Sequence, residues 1–172
     1  AESGLWRKPT NINNVETFYQ ASKITKNEYI HTKFYSISGD GNIPVPGVFE
    51  LKENLTIKQV LQETENFPFF NFFVQVGGGA CGAIMLANEL DQPIKGLACL
   101  IVFNKDKTKP IKLMKQWIKF LLESNCDKCT PCREGLFRIN EMIENENFDK
   151  TALQDIFDAL QKTSFCPLGR LA

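Results

Sequence analysis

An α+β architecture is predicted, with a small sheet-bearing region followed by an all-helical one. Three observations predict it. Between residues 33 and 104 the apolar residues come in short, strand-like runs separated by Gly and Pro turns. One helix is inserted among these runs, announced by its own capping signal. From residue 109 onward the apolar spacing becomes helical, at three and four residues.

The elements follow in order. Residues 1–30 are polar and turn-rich, with Pro9-Thr10 and Asn11-Ile12-Asn13-Asn14, and become periodic only over 15–24. A stretch so poor in apolar residues is expected to pack on something else or to end a larger domain. Residues 33–38 alternate and stop at the turn cluster Gly39-Asp40-Gly41-Asn42. Pro46-Gly47 opens a second strand, Val48-Phe49-Glu50-Leu51. Thr56-Ile57-Lys58-Gln59 has capping-box spacing, and Ile57, Val60 and Leu61 form a helical stripe. Residues 72–76 read as a buried strand ending at Gly77-Gly78-Gly79, and 99–103 as the last strand. Two strands, a helix and returning strands suggest a ubiquitin-like roll. In the helical region, Ile111, Met114, Ile118 and Leu121 share a face and Lys112, Lys115 and Lys119 share another. Leu136, Ile139 and Ile143 mark a second helix. Leu153, Ile156, Phe157 and Leu160 mark a third, with a capping box expected at Thr151–Gln154.

Composition narrows the function. Apolar content of 43% and charged content of 23% are those of an ordinary folded chain. Twenty basic residues balance twenty acidic ones, so there is no electrostatic reason to expect nucleic acid or an anionic membrane. No apolar run approaches the roughly 18 residues of a membrane span, so no direct membrane insertion is expected. Ala1-Glu2-Ser3-Gly4 has neither a basic start nor an apolar stretch after it, so no secretory signal is read there.

The chemistry lies in Cys126-Asp127-Lys128-Cys129-Thr130-Pro131-Cys132 and the later Cys166-Pro167. C-x2-C-x2-C suits an iron–sulfur cube: three thiolates from one loop cap three irons and a fourth arrives from elsewhere. The bacterial ferredoxin run would place a fourth cysteine, serving a second cluster, where Leu136 stands. One 4Fe-4S cluster closed by Cys166 is therefore expected, and with it electron transfer. Thr130-Pro131 reads as N-cap and N1 of a helix, which sets Cys132 beside unpaired amides at the positive helix end. Lys128 and Arg133 are expected to act on the anionic cluster in the same direction.

Bland readings stand beside this one. The cysteines are alternatively buried thiols or a zinc clip, although zinc more often uses separated pairs or histidine, and the chain has one histidine. Cys81, after the triple glycine, competes as fourth ligand, whereas Cys99 reads as core filler. Gly77–Gly82 lacks the Gly-Lys-Ser/Thr of a phosphate loop and reads as a tight turn. His31 reads as a surface or loop histidine and the lysine stripe as a solvated face. Phe67, Phe69, Phe70, Phe72 and Phe73 are expected in the core.

Residues 126–135, Cys-Asp-Lys-Cys-Thr-Pro-Cys-Arg-Glu-Gly, with Cys166-Pro-Leu-Gly169, resemble the cluster domain that ends the NADH-oxidising flavoprotein subunit of respiratory complex I. Related NAD-linked hydrogenases and formate dehydrogenases carry the same domain. Residues 9–17 resemble the motif closing that family's flavin domain, and residues 38–50 its β-grasp module, the SLBB domain. The resemblance implies three parts: 1–30, the end of a flavin-binding domain; 31–105, an SLBB β-grasp domain; and 106–172, a helical 4Fe-4S domain. It implies that Cys126, Cys129, Cys132 and Cys166 hold the cluster and that Asn13 and Asn14 lie at the flavin edge. FMN and NAD are implied for a full-length parent only, because the family's FMN- and NADH-binding domain would precede residue 9. Catalysis toward NADH by this chain alone is thus not expected. Implied partners are the flavin-domain portion of the parent and other iron–sulfur subunits, in the cytoplasm or an organelle matrix.

Overall fold

The computed structural model describes residues 3–39, 43–79, 82–94 and 96–171. The turn expected at Asp40–Asn42, the chain start at Ala1-Glu2 and the candidate ligand Cys81 lie outside the described residues.

A short 3-10 turn, Leu5–Arg7, precedes helix α1, Val15–Thr25. Asn14 caps α1, its side-chain oxygen accepting both the Thr17 amide and the Thr17 hydroxyl at 2.8 Å. No residue of α1 is fully buried, so directed bonds hold the helix in place. Strand β1, Thr32–Gly39, meets its parallel neighbour β5, Cys99–Asn104, only from Ser36 onward. Ahead of that point the Phe34 amide donates to the Glu16 carboxylate at 2.7 Å, and Gln20 donates to the Thr32 carbonyl at 2.9 Å. Tyr19 lies against the Phe34 ring, centroids 5.2 Å apart.

Strands β2 (Gly47–Lys52), β3 (Phe72–Val76) and β4 (Ala83–Leu86) complete a sheet of order β2-β1-β5-β3-β4. The central pair is parallel and the outer pairings are antiparallel. Helix α2, Ile57–Glu63, has the expected capping box, Thr56 and Gln59 bonding reciprocally. Its Ile57, Val60 and Leu61 pack with Tyr35, Ile37, Val74, Leu100 and Val102 in one core. Period-two geometry decides which β5 residues join that core. Leu100 and Val102 do, while Cys99 is only half-buried on the other face. Cys99 is thus not the core filler expected.

Two further differences have local causes. β4 was not expected: its four residues do not alternate and none is buried, and pairing with β3 alone makes it a strand. The phenylalanine group splits. Phe72 is buried and Phe67 and Phe70 pack beside it, Phe73 stacks on Phe103 at 5.1 Å across the outer face, and Phe69 is fully exposed.

The helical region comprises α3 (Pro110–Glu123), α4 (Thr130–Glu144), α5 (Lys150–Thr163) and the single turn α6 (Pro167–Arg170). Ile118 and Leu121 of α3, Leu136, Ile139 and Ile143 of α4, and Leu160 of α5 form a second core, which includes Cys129 and Cys132. The lysine stripe is a solvated face, with Lys115 2.8 Å from Glu144 and Lys119 3.8 Å from Glu123. α5 starts ahead of the expected capping box: Asp149 accepts the amides of Thr151 and Ala152 at 2.9 and 3.1 Å. Its carboxylate, an ionised acceptor, satisfies two orphan donors at once and leaves Thr151 inside the first turn.

Candidate metal centre

The cysteine loop joins α3 to α4. Asp127 adopts a left-handed conformation, φ 57°, which Asp tolerates better than most residues because it bonds locally. The Asn125 side chain fastens this bend, accepting the Asp127 amide at 3.1 Å and donating to its carboxylate at 3.0 Å. α4 then begins one residue earlier than expected. Cys129, not Thr130, is the N-cap, and Thr130 and Pro131 occupy the first two helical positions. Proline is tolerated there because its missing N–H would have no intrahelical partner. Sulfur therefore stands where a capping oxygen usually does, and Cys132 sits at the third helical position.

The fourth cysteine arrives on the opposite side. α5 ends at Thr163, and Cys166 is the N-cap of α6. α6 packs on both α4 and α5. Gly169 makes this approach possible: a side chain there would run into Ser164 and stand 3.2 Å from Cβ of Cys132.

The thiols sense one another. Burial pushes the Cys132 thiol up, and negative charge on Cys129, Cys166 and Cys126 pushes it the same way. The Phe165 backbone amide does most to hold the Cys129 thiol below the ordinary range; burial opposes this and the Cys132 amide assists. Cys129 and Cys132 are 6% and 3% exposed, whereas Cys126 and Cys166 face solvent. A Cys132 thiolate beside other negative sulfurs is favoured by nearby positive charge, as a bound metal would supply. The donor set is all sulfur, with three members on one loop, and it suits an iron–sulfur cluster. Among the described residues no three His, Cys, Asp or Glu side chains are already grouped as they would be around a metal ion.

Of the flanking cations, Lys128 is exposed and Arg133 is largely spoken for. Its guanidinium meets Glu134 at 2.8 Å and the Asp127 carbonyl at 3.2 Å. The positive contribution expected of Arg133 is thereby reduced, since Glu134 lies within one residue of it. Asn13 and Asn14 stand at the start of α1, which bonds to β1 and β2 through Glu16 and Tyr19. His31 is an exposed loop residue edge-on to Tyr29 at 4.6 Å. Sequence reasoning missed Asn125 and Ser164. The second ends α5 fully buried, 1% exposed, with an Oγ that bonds nothing, and no sequence pattern marks it.

Comparison with known proteins finds relatives for the segment that carries these cysteines. Residues 112–172 match the family model described as the NADH-ubiquinone oxidoreductase-F iron-sulfur binding region. The chain is 28% identical over 202 residues to the F subunit of NADH-quinone oxidoreductase from Mycobacterium tuberculosis, covering 98% of this chain and 44% of the relative. It is 30% identical over 174 residues to the protein of the same name from Buchnera aphidicola, covering 89% and 39%. It is 28% identical to HndC, a subunit of the NADP-reducing hydrogenase of Solidesulfovibrio fructosivorans, covering 99% and 40%. The chain thus spans less than half the length of these relatives. In fold it matches a chain of an NAD+-reducing [NiFe]-hydrogenase with a TM-score of 0.83 at 24% identity, covering 99% of this chain and 33% of that one. Residues 112–172, which carry the cysteine loop and Cys166, thus resemble an iron-sulfur binding region.

Proposed function

We propose that this chain is an electron-transfer module in which Cys126, Cys129, Cys132 and Cys166 hold one 4Fe-4S cluster. The observation that carries the reading is that Cys129 and Cys166 stand at the starts of α4 and α6, that α6 packs on α4, and that charge on Cys126, Cys129 and Cys166 all bears on Cys132. These cysteines lie within the segment that matches an iron–sulfur binding region. Such a cluster, when bound, takes up and passes on single electrons. Cys129 and Cys132 supply the buried side, where low dielectric and the α4 amides set the field, and Cys126 and Cys166 supply the solvent-facing side.

The sheet region, 31–105, is an SLBB-type β-grasp domain in this reading. The order β2-β1-β5-β3-β4 with a parallel central pair and α2 across one face supports it. Residues 1–30 belong to the end of a flavin-binding domain, with Asn13 and Asn14 at the edge of FMN when that domain is present. Residues 106–172 form the cluster domain. The electron donor is reduced flavin on the flavin-bearing part of the parent, and the acceptor is another iron–sulfur subunit of a multisubunit complex. Among the described residues no helix is long and apolar enough to cross a membrane, which accords with a place in a peripheral arm, in cytoplasm or organelle matrix. The likeness to HndC favours a second parent of the same chemistry, an NAD(P)-linked hydrogenase.

Metal and sulfide analysis of the anaerobically loaded chain, with EPR after dithionite reduction, tests the reading. About four irons and four sulfides with a reduced-cluster signal are expected. Stoichiometric zinc without sulfide would replace it with a zinc-clipped structural module.

A further inference from the structure

Ser164 is 1% exposed, yet its Oγ has no hydrogen-bond partner. Buried hydroxyls are rarely left so, because the lost hydration is not recovered. A hydroxyl at a helix end commonly bonds back to the carbonyl four residues earlier, as Thr163 does to Ala159 at 2.6 Å. Ser164 does not, although its own amide bonds the Leu160 carbonyl at 3.1 Å. Its carbonyl accepts Arg170 Nε at 2.9 Å. The Ser164 side chain lies beside the Cys132 residue. The Ser164 side chain and Cβ of Cys132 crowd the same point above Gly169, and the next amide, of Phe165, is close enough to lower the Cys129 thiol.

We propose that Ser164 Oγ is a hydrogen-bond donor to a sulfur of the cluster, raising its reduction potential. This rests on the 4Fe-4S reading above. A hydroxyl hydrogen rotates to suit its acceptor, and sulfur of an anionic cluster is the acceptor the site otherwise lacks. Donation favours the more negative, reduced state, and hydrogen bonds to sulfur are among the terms that set such potentials.

The test is an EPR-monitored redox titration of the anaerobically loaded chain as wild type, Ser164→Ala and Ser164→Thr, each assayed for iron and sulfide. In Ser164→Ala with a full cluster, the reduced-to-oxidised ratio at fixed potential should fall roughly tenfold, a shift of about 59 mV downward for one electron. Ser164→Thr, which keeps the hydroxyl, should stay near wild type. A fully loaded Ser164→Ala with unchanged potential overturns the proposal. If that variant does not hold a cluster, wild type decides: pulsed ENDOR after brief D2O exchange should show a coupled deuteron from the fast-exchanging hydroxyl, and its absence overturns the proposal equally. Wild type devoid of iron and sulfide would instead sink the cluster reading itself, and the proposal with it.

Discussion

Gly169 lies directly against Cys132: a side-chain carbon on Gly169 would stand 3.2 Å from Cβ of Cys132 and collide with Ser164. The turn that presents Cys166 therefore reaches the first turn of α4 only because residue 169 has no side chain. Helix propensity alone would favour alanine over glycine by about 1 kcal/mol. Overpacking of this kind costs about 1–3 kcal/mol, and here the strain falls on a ligand. Gly169→Val is expected to hold less than the full complement of iron, measured per chain, with α3–α5 still folded by circular dichroism. Full iron loading in Gly169→Val would show that the approach of α6 is not needed.

The cysteines are expected to differ in what their loss does. Cys129→Ala and Cys132→Ala remove buried sulfur and should abolish the brown colour of the loaded protein. Cys99→Ala, on the outer face of the sheet, should leave colour and iron content unchanged. Retained colour in Cys132→Ala would overturn the ligand assignment, because no other described cysteine is coupled to that set.

The cysteine motif was legible in the sequence because its meaning is local: spacing within seven residues fixes what one loop can offer. The sheet core was legible for the same reason, since Leu100 and Val102 obey a period of two. Cys99, one residue away, shows the limit. Alternation identifies two faces but not which one is covered, and α2 covers the other. β4 was illegible because its pairing with β3 gives it form while its own side chains bury nothing. Ser164 was illegible more deeply, since an ordinary serine two residues before a cysteine acquires meaning only when α6 folds over α4. The misplaced start of α4 came from preferring a hydroxyl as cap, when sulfur occupies that position.

Asn66 ties the segment before β2 to the end of α2. It is fully buried, its Oδ1 accepting the Val45 amide at 2.9 Å and its Nδ2 donating to the Val45 carbonyl at 2.8 Å. A third bond reaches the Thr64 hydroxyl at 3.2 Å. Asn66→Ala leaves two backbone groups of Val45 without these partners, at about 1–3 kcal/mol each where water cannot replace them. A loss of about 2–4 kcal/mol is expected in urea unfolding, with little change in slope. A loss below about 0.5 kcal/mol, typical of neutral surface changes, would mean that Val45 rehydrates freely.

Asp158 should confer a small acid sensitivity on α5. Its bond to Lys162, with help from Gln154, holds its carboxyl below the usual range. A depressed folded-state pKa means that the contribution is present above the unfolded value, about 3.9, and is lost as pH falls through the folded one. Both partners are well exposed, so the effect is small and screened by salt. The stability difference between wild type and Asp158→Asn should be constant near neutrality and shrink below about pH 4. A difference that persists unchanged at pH 2 would assign it to something other than ionisation.

Removing the cluster should separate the two cores. Two of the eight buried residues in the helical core are Cys129 and Cys132, whereas among the described residues no cysteine belongs to the sheet core. Whatever binds only the folded thiol set stabilises that core by mass action, and its removal withdraws the stabilisation there alone. Chelation under anaerobic conditions is therefore expected to lower helical circular dichroism and expose the loop around Cys126 to protease. Amide exchange in β1, β3 and β5 should stay slow. The sheet has its own apolar interior, and α2 completes it without help from α3–α6. A single cooperative transition that moves both regions together on chelation would show instead that the interface between sheet and helices couples them as one folding unit.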